Sequence, residues 1–342
     1  MQRDDIVNSK KHLEFLKSNN LTRLNVISFA LLAFYYFVFI FIMVLKSSFK
    51  ISFTTKELNE VFLSWSDTHK KNLKVLAKNK DITTLNNKLD YSYFNSPLSF
   101  SELFFSIRDA GLRNIWCSVG FIAFAELLIL ERWLIDTNVR KVFVAGHYDR
   151  LVFNISIACK NSKVNLAVCQ HGVVSVIELP NKIFVDEVYL KYWVSEATFE
   201  KFYVVGHFFQ TPDLDFDRRR ITNAEHAKSR RTVLFIGQFG QVEKTIEILE
   251  YCSSFNDVDI LFLQHPSDKG TGYEKFSKVI KEPILDPFLV ISLFSSFAYS
   301  YHLLGCRTVF FPGDTQLDFL KDDTVTCLKM PQGLCEYLKV QG

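Results

Sequence analysis

The chain reads as an α/β protein with two doubly wound domains, preceded by an N-terminal hydrophobic helix. Three observations predict this. A charge-free apolar run extends from Leu24 to Leu45. After it, helical stretches alternate with short β-branched or aromatic runs that stop at Gly or at a polar pair, which is how parallel sheets are written in sequence. A polar, charged stretch without apolar periodicity then separates two such series. At 342 residues the chain also exceeds one ordinary core and suits about two domains.

The bulk numbers exclude several classes. Hydrophobic residues at 48% against 23% charged describe a folded chain. The 40 basic and 37 acidic residues leave a net charge of only +3, without the basic excess a nucleic-acid protein needs. None of the 7 Cys forms a Cys-x-x-Cys pair, so zinc and dithiol redox sites are not indicated and the thiols read as packing residues.

Taken in order, residues 1–23 form a polar tail carrying Arg3, Lys10, Lys11, Lys17 and Arg23. Residues 24–45 are long enough to cross the roughly 30 Å hydrocarbon layer at about 1.5 Å per residue. Arg23 and Lys46 bracket that run as interfacial anchors would. The first α/β domain is expected over 46–212. Its early part predicts a helix from Thr55 to Lys78 with no evident chemistry. Then come a helix from Phe121 to Asp136, a strand over Lys141–Gly146, a helix from Leu151 to Lys160 and a strand over Val164–Cys169. Glu187–Val194 and Lys201–Gly206 read as further strands, with Asp186 and Glu187 as a solvated lead-in. A linker over 213–230 precedes the second domain, 231–342. There Thr232–Gly237, Asp259–Leu263, Leu289–Phe294 and Arg307–Phe311 read as strands, with helices Val242–Cys252 and Ser295–Leu304. Two such halves predict a ligand cleft at the carboxyl ends of both sheets.

Candidate chemistry sits where strands stop. Gly146-His147-Tyr148-Asp149 and Gln170-His171-Gly172 follow strands of the first domain, and Gln264-His265-Pro266 follows one of the second. A neutral imidazole with a pKa near ~6.5 accepts a proton at working pH, so His171 is a candidate base, and Asp149 is an alternative base or a partner that orients a His. Gly172 lets the backbone turn beside a ligand, and His147 and Gln170 are expected at the acceptor or just behind it. Pro266 fixes the backbone that carries His265, which can donate to a phosphate oxygen. Ser295 and Ser296 start a helix, where unpaired N–H groups favour an anion. The same serines also serve as ordinary caps, and the two roles are compatible. Gly237 and Gln238 close the first strand of the second domain without a Gly-x-Gly-x-x-Gly fingerprint. No Walker loop, His-Glu-x-x-His or Gly-x-Ser-x-Gly occurs, and no acidic motif indicates a metal or other cofactor.

At these residues the chain resembles bacterial surface-polysaccharide glycosyltransferases of the GT-B fold. Gln170-His171-Gly172, Asp186-Glu187, Trp193-Val194-Ser195 and Val204-Val205-Gly206 are similar to the first half of capsule and lipopolysaccharide enzymes. His265-Pro266 followed by Ser295-Ser296 resembles the pairs that bind CMP in bacterial sialyl- and polysialyltransferases, and the chain is similar to CMP-sugar-using Kdo transferases as well. CDP-glycerol transferases share the His-Gly of the first half. The likeness covers about residues 112–315 and rests on short motifs in order. It implies a nucleotide-sugar donor, CMP-linked by preference, held by His265, Ser295 and Ser296, and a glycan or glycolipid acceptor deprotonated by His171 or Asp149. It also implies metal independence. The acidic triplet of the polysialyltransferases is missing, which leaves the base and the sugar open. Polyol-phosphate transfer on the same fold, and a non-catalytic polysaccharide-assembly role, stay as alternatives. A bacterial inner-membrane location is expected, with the domains on the cytoplasmic side. That side requires a surface-lying or re-entrant helix, or a violated charge rule, because the basic tail would hold the N-terminus in the cytosol and a full span would give a Golgi-type layout.

Overall fold

The computed structural model describes residues 2–19, 25–49, 58–78, 80–85, 89–90, 93–170, 178–192, 195–211, 219–228, 231–265, 268–315 and 317–338. The described residues form two compact units. One takes in the residues up to Thr211 except Tyr192 and Ser195, and the second takes those two with the residues from 219 on.

The first unit contains α1 (Arg3–Ser18), α2 (Val26–Ser48), β1 (Glu60–Ser64), α3 (Asp67–Ala77), β2 (Ile82–Thr84), α4 (Phe100–Ala110), α5 (Leu112–Ile115), α6 (Ser118–Thr137), β3 (Lys141–Val144), α7 (Arg150–Ser162), β4 (Asn165–Cys169), β5 (Ile183–Leu190), α8 (Glu196–Phe202) and β6 (Tyr203–Gln210). Its strands are ordered β2-β1-β3-β4-β5-β6 and every pairing is parallel. In the second unit β7 (Thr232–Ile236), α9 (Val242–Ser253), β8 (Asp259–Leu263), β9 (Lys278–Ile280), β10 (Leu289–Ser292), α10 (Ser296–Leu303), β11 (Thr308–Phe310) and β12 (Thr326–Cys327) form a sheet ordered β12-β11-β10-β7-β8-β9, again parallel. The doubly wound α/β fold expected from the sequence is therefore present twice, behind an apolar N-terminal helix.

Burial on both faces explains the unbroken apolar strands. In the second unit Val233, Phe235 and Ile291 face Ile248 and Leu249 of α9, while Leu234, Ile236 and Val290 face Ala298 and Tyr301 of α10. Successive residues point to opposite sides, so a sheet covered twice has no polar face to show. In the first unit Phe62 and Phe143 share a register position on β1 and β3, and their rings stack at 4.5 Å.

The helix expected from Thr55 to Lys78 is instead the interior strand β1, second from the edge of its sheet, followed by α3, for the residues described there. Val61-Phe62-Leu63 is too short an apolar run for periodicity to separate a strand from a helix, and its pairing with β3 decides the matter. The strand expected at Glu187–Val194 lies at Ile183–Leu190, so Asp186 and Glu187 are mid-strand. Asp186 accepts from the Leu166 N–H at 2.7 Å, and Glu187 pairs with Lys141 at 2.6 Å. Part of the stretch expected as linker belongs to the second unit, where Ile221 is buried and Arg220 lies over the Phe297 ring at 5.1 Å.

The N-terminal helices are fastened to the first unit by a buried polar network. Glu126 of α6 is fully buried; it accepts from the Tyr36 hydroxyl of α2 at 2.5 Å and from Asn154 of α7 at 2.7 Å, and it forms an ion pair with Arg150. Asn154 in turn accepts from Ser9 of α1 at 2.5 Å, and Tyr36 accepts from the Leu89 N–H at 3.1 Å. Removing one member strands the others without water. Glu126→Ala is expected to cost about 3–5 kcal/mol of stability and Tyr36→Phe about 1–3 kcal/mol, read by chemical denaturation.

Candidate functional site

Strand order singles out one place in each unit. In a doubly wound sheet the loops diverge where the order reverses, leaving a crevice at the carboxyl ends of the two strands concerned. In the first unit those strands are β1 and β3, and in the second they are β7 and β10.

At the first crevice β1 runs into Trp65 and Ser66, and β3 into Gly146-His147-Tyr148-Asp149. Ser66 caps α3 by accepting from the His69 N–H at 3.1 Å. Gly146 is there because nothing larger fits: a Cβ on it would lie 2.5 Å from the Trp65 ring, 2.6 Å from an Asp149 oxygen and 2.6 Å from Val152. Asp149 precedes α7 but makes no side-chain cap bond, so its carboxyl is not occupied by the usual task of that position. Burial raises its pKa, opposed by hydrogen bonds from the His147 and Asp149 backbone and from the Trp65 side chain. A carboxyl made more basic at a crevice has the property a general base requires.

His147 is buried, edge-on to Phe199 at 5.3 Å, and burial with the neighbouring His69 lowers its pKa to about 3. Burial alone lowers His69 to about 4, and its ring meets Trp65 edge-on at 5.3 Å. Both imidazoles are neutral at working pH. Gln170 is fully buried, and its side chain accepts from the Lys191 N–H at 2.8 Å, extending the ladder between β4 and β5. His171 and Gly172, singled out beside it, lie outside the described residues.

At the second crevice Ser292 fastens the two strands, donating to the Ile236 carbonyl at 2.8 Å and accepting from the Ser295 N–H at 3.2 Å. Ser295 caps α10 through the Phe297 N–H at 3.3 Å, which leaves Ser296 half-buried in the first turn. Gly237 has no room for a side chain, since a Cβ would lie 2.7 Å from Phe262. Gln238 and Phe239 form the loop that follows, and the Phe239 ring stands 6.2 Å from that of His265, at the end of the adjacent β8. Burial lowers the His265 pKa, with Asp268 opposing it. Pro266 lies outside the described residues. Gln264 holds the following loop by donating to the carbonyls of Asp268 and Gly270, at 3.2 and 3.1 Å.

Four residues were not singled out from sequence. Trp65 and His69 were hidden inside a stretch read as one helix. Lys244 sits in the first turn of α9, and its Nζ lies 2.7 Å from where a Cβ on Gly313 would stand, bringing a cation to the loop after β11. A Lys in the first turn of the helix that follows Gly237-Gln238 was the available signal. Ser292 had none, because its role depends on β7 lying next to β10. A cavity of about 490 Å³ near Ser156, Asn165 and Gly206 opens at the amino ends of β4–β6, on the opposite sheet edge from the crevice of the first unit. Among the described residues no three His, Cys, Asp or Glu converge as metal ligands.

No family model and no curated protein matches the chain. Among solved structures, it is similar to the UDP-GlcNAc 2-epimerase of Methanocaldococcus jannaschii, with 13% identity, a TM-score of 0.47, and coverage of 82% of this chain and 92% of that one. Acinetobacter baumannii MurG gives 10% identity and a TM-score of 0.44 over 82% of this chain and 81% of that one. The wall teichoic acid polymerase TagF gives 12% and 0.44 over 98% and 88%.

Three neutral imidazoles buried in the first unit make its stability pH-dependent. His12 of α1, stacked on Phe153 at 4.2 Å, is lowered to about 4, as is His69, and His147 to about 3. Below the ordinary value of 6.5 the unfolded chain takes up protons that the folded chain refuses. Stability is therefore fully present above pH ~6.5 and falls as pH drops towards ~4, by up to about 1.4 kcal/mol per pH unit for each ring. Thermal unfolding followed from neutral to acid pH is expected to steepen accordingly, and His147→Asn to flatten it.

Proposed function

We propose that this chain is a glycosyltransferase that moves a sugar from a nucleotide-activated donor to a surface polysaccharide or glycolipid acceptor. The observation that carries this is the division of chemistry between the two crevices. That of the first unit holds a proton acceptor, a carboxyl made more basic by burial, beside imidazoles that stay neutral and add no positive charge. That of the second gathers hydrogen-bond donors, the first turn of α10 with Ser296 and the imidazole of His265, and one cation, Lys244. Sugar transfer from a nucleotide needs both, one to take the acceptor's proton and one to stabilise the phosphate that departs.

In this reading Asp149 or His171 deprotonates the acceptor hydroxyl as its oxygen attacks the anomeric carbon, and the bond from that carbon to the nucleotide's phosphate oxygen breaks. The charge left on the phosphate falls to the Ser295–Ser296 helix start, His265 and Lys244, with Gly237 and Gln238 beside the nucleotide. His147 and His69 are too strongly held in the neutral state to serve as acids and act by position. The paired His265-Pro266 and Ser295-Ser296 favour a cytidine nucleotide, hence a CMP-sugar. The first domain, 46–212, supplies the acceptor side, the second, 231–342, the donor side, and the hydrophobic helix a membrane location.

Two measurements test the reading. Thermal shift with CMP, CDP, UDP and GDP is expected to show stabilisation by a cytidine nucleotide, reduced at least tenfold in apparent affinity by His265→Ala or Lys244→Ala, about 1.4 kcal/mol or more. Asp149→Asn is expected to lower turnover at least about 100-fold with nucleotide binding intact. A chain bound by none of the four nucleotides sinks the donor assignment. Release of polyol phosphate rather than sugar from the donor would move the protein to the phosphate-transfer alternative.

A further inference from the structure

The apolar helix α2 is long enough to cross a bilayer, yet it is packed as part of the first unit. Phe29, Leu32, Tyr36, Phe39 and Met43 are buried along one stripe. Helix α6 is the surface they meet, and the two helices run in the same direction. Tyr36 bonds Glu126, while Met43 of α2 and Arg132 of α6 both reach the segment before α4, through the Leu98 N–H at 3.3 Å and the Pro97 carbonyl at 2.9 Å. Drawing α2 away to span a membrane would strip the Tyr36 hydroxyl from the Glu126–Arg150–Asn154 network. Keeping it docked while spanning would carry that network's charges into hydrocarbon, at a cost few contacts repay.

The opposite stripe of α2 is apolar too. Val26, Ile27, Leu31, Phe34, Phe37 and Phe41 are exposed, and the helix contains no acidic residue. A helix docked on a soluble domain turns polar residues outward, so an apolar outer face requires cover. The same need continues onto neighbouring elements. Helix α4 starts at the Met43 end of α2 and is tied to α6 by the Arg132–Glu102 pair at 2.8 Å; it exposes Phe100, Phe104 and Phe105. Helix α5 packs against Gly120 at the start of α6, the end that holds the first turns of α2. There Leu112 is exposed and Trp116 is 88% exposed. Cations stand at the margins. Lys17 lies over the Phe29 ring at 5.5 Å; Arg108, which also pairs with Asp109 at 2.8 Å, lies over the Phe105 ring at 4.8 Å; Lys46 is in the last turn of α2, and Arg113 is exposed on α5.

We propose that α2 lies in the plane of an anionic phospholipid surface. Its outer stripe, with the aromatic residues of α4 and Trp116, is sunk into the acyl boundary, and Lys17, Lys46, Arg108 and Arg113 meet phosphate headgroups. An aromatic and aliphatic face with basic edges is what an interfacial helix presents, and Trp is the residue most at home at that depth. The first unit then stays on one side of the bilayer together with both ends of α2. The inference does not depend on the donor assignment.

The test uses the full chain. Flotation with phosphatidylcholine vesicles, with and without phosphatidylglycerol, is expected to recover the protein chiefly with the anionic set, less so at high salt. Phe104→Glu combined with Trp116→Glu, outside α2, is expected to lower the bound fraction at least about tenfold, with melting temperature and nucleotide response unchanged. For topology, Ser18→Cys and Ser48→Cys are introduced singly with Cys117→Ser and Cys327→Ser, the exposed thiols. A membrane-impermeant maleimide added outside is expected to label both positions. Labelling of one position only, before detergent, would mean a spanning helix and overturn the proposal. Undiminished flotation of the Phe104/Trp116 variant, or no flotation of the unaltered chain, would overturn it as well.

Discussion

Parallel pairing is the constraint from which the rest follows. Every described strand of each sheet runs the same way as its neighbours, so all carboxyl ends, and the helix starts that follow them, collect along one edge. Hydrogen bonds within the sheet satisfy the strands but leave the N–H groups of the first helical turns looking outward. Where the order reverses, between β1 and β3 and between β7 and β10, no crossover fills the space above the strand ends. Chemistry concentrates there because the backbone leaves donors and room at the same point.

The two crevices are furnished differently by local steric detail. Gly146 allows Trp65 and Asp149 to close over the end of β3, and the resulting burial makes the carboxyl more basic while keeping His147 and His69 neutral. In the second unit Ser292 binds β7 to β10 at their ends, and this fixes the start of α10 next to the Gly237–Gln238 loop. One environment favours taking a proton and the other favours an anion. That contrast, more than any single residue, is what makes group transfer from a nucleotide the natural reading.

The Glu126 network links this chemistry to the outside of the molecule. Arg150 opens α7 directly after Asp149, and its partner Glu126 also receives Tyr36 of the apolar helix. The residues that hold α2 against the first unit are thus one position removed from the candidate base. A buried ion pair of this kind adds little net stability, yet it tolerates few alternative packings, so it fixes where α2 lies relative to the sheet.

Much of the fold was legible in the sequence because helix and strand periods differ and because strands covered on both faces are unbroken apolar runs. Strands β7, β8, β10 and β11 of the second unit, and the helices at Ser118–Thr137 and Val242–Ser253, fall close to where their patterns place them, whereas the short edge strands β9 and β12 left no such pattern. The same reading put Asp149, His147, His265, Ser295 and Ser296 at strand ends, since Gly or a polar pair marks the point where an apolar run must stop. What the sequence could not carry was pairing. Strand β1 is a five-residue run that joins the sheet only through its partners β2 and β3, so Trp65 and His69 had no visible relation to Asp149. The outward stripe of α2 is likewise invisible in composition, because both faces of the helix are apolar. Only the docking of Tyr36 on Glu126 decides which face is inside. Local pattern thus determined which residues are helix, strand and turn, while contacts between residues far apart in the chain decided which of them meet, since only folding brings such distant groups within hydrogen-bond reach.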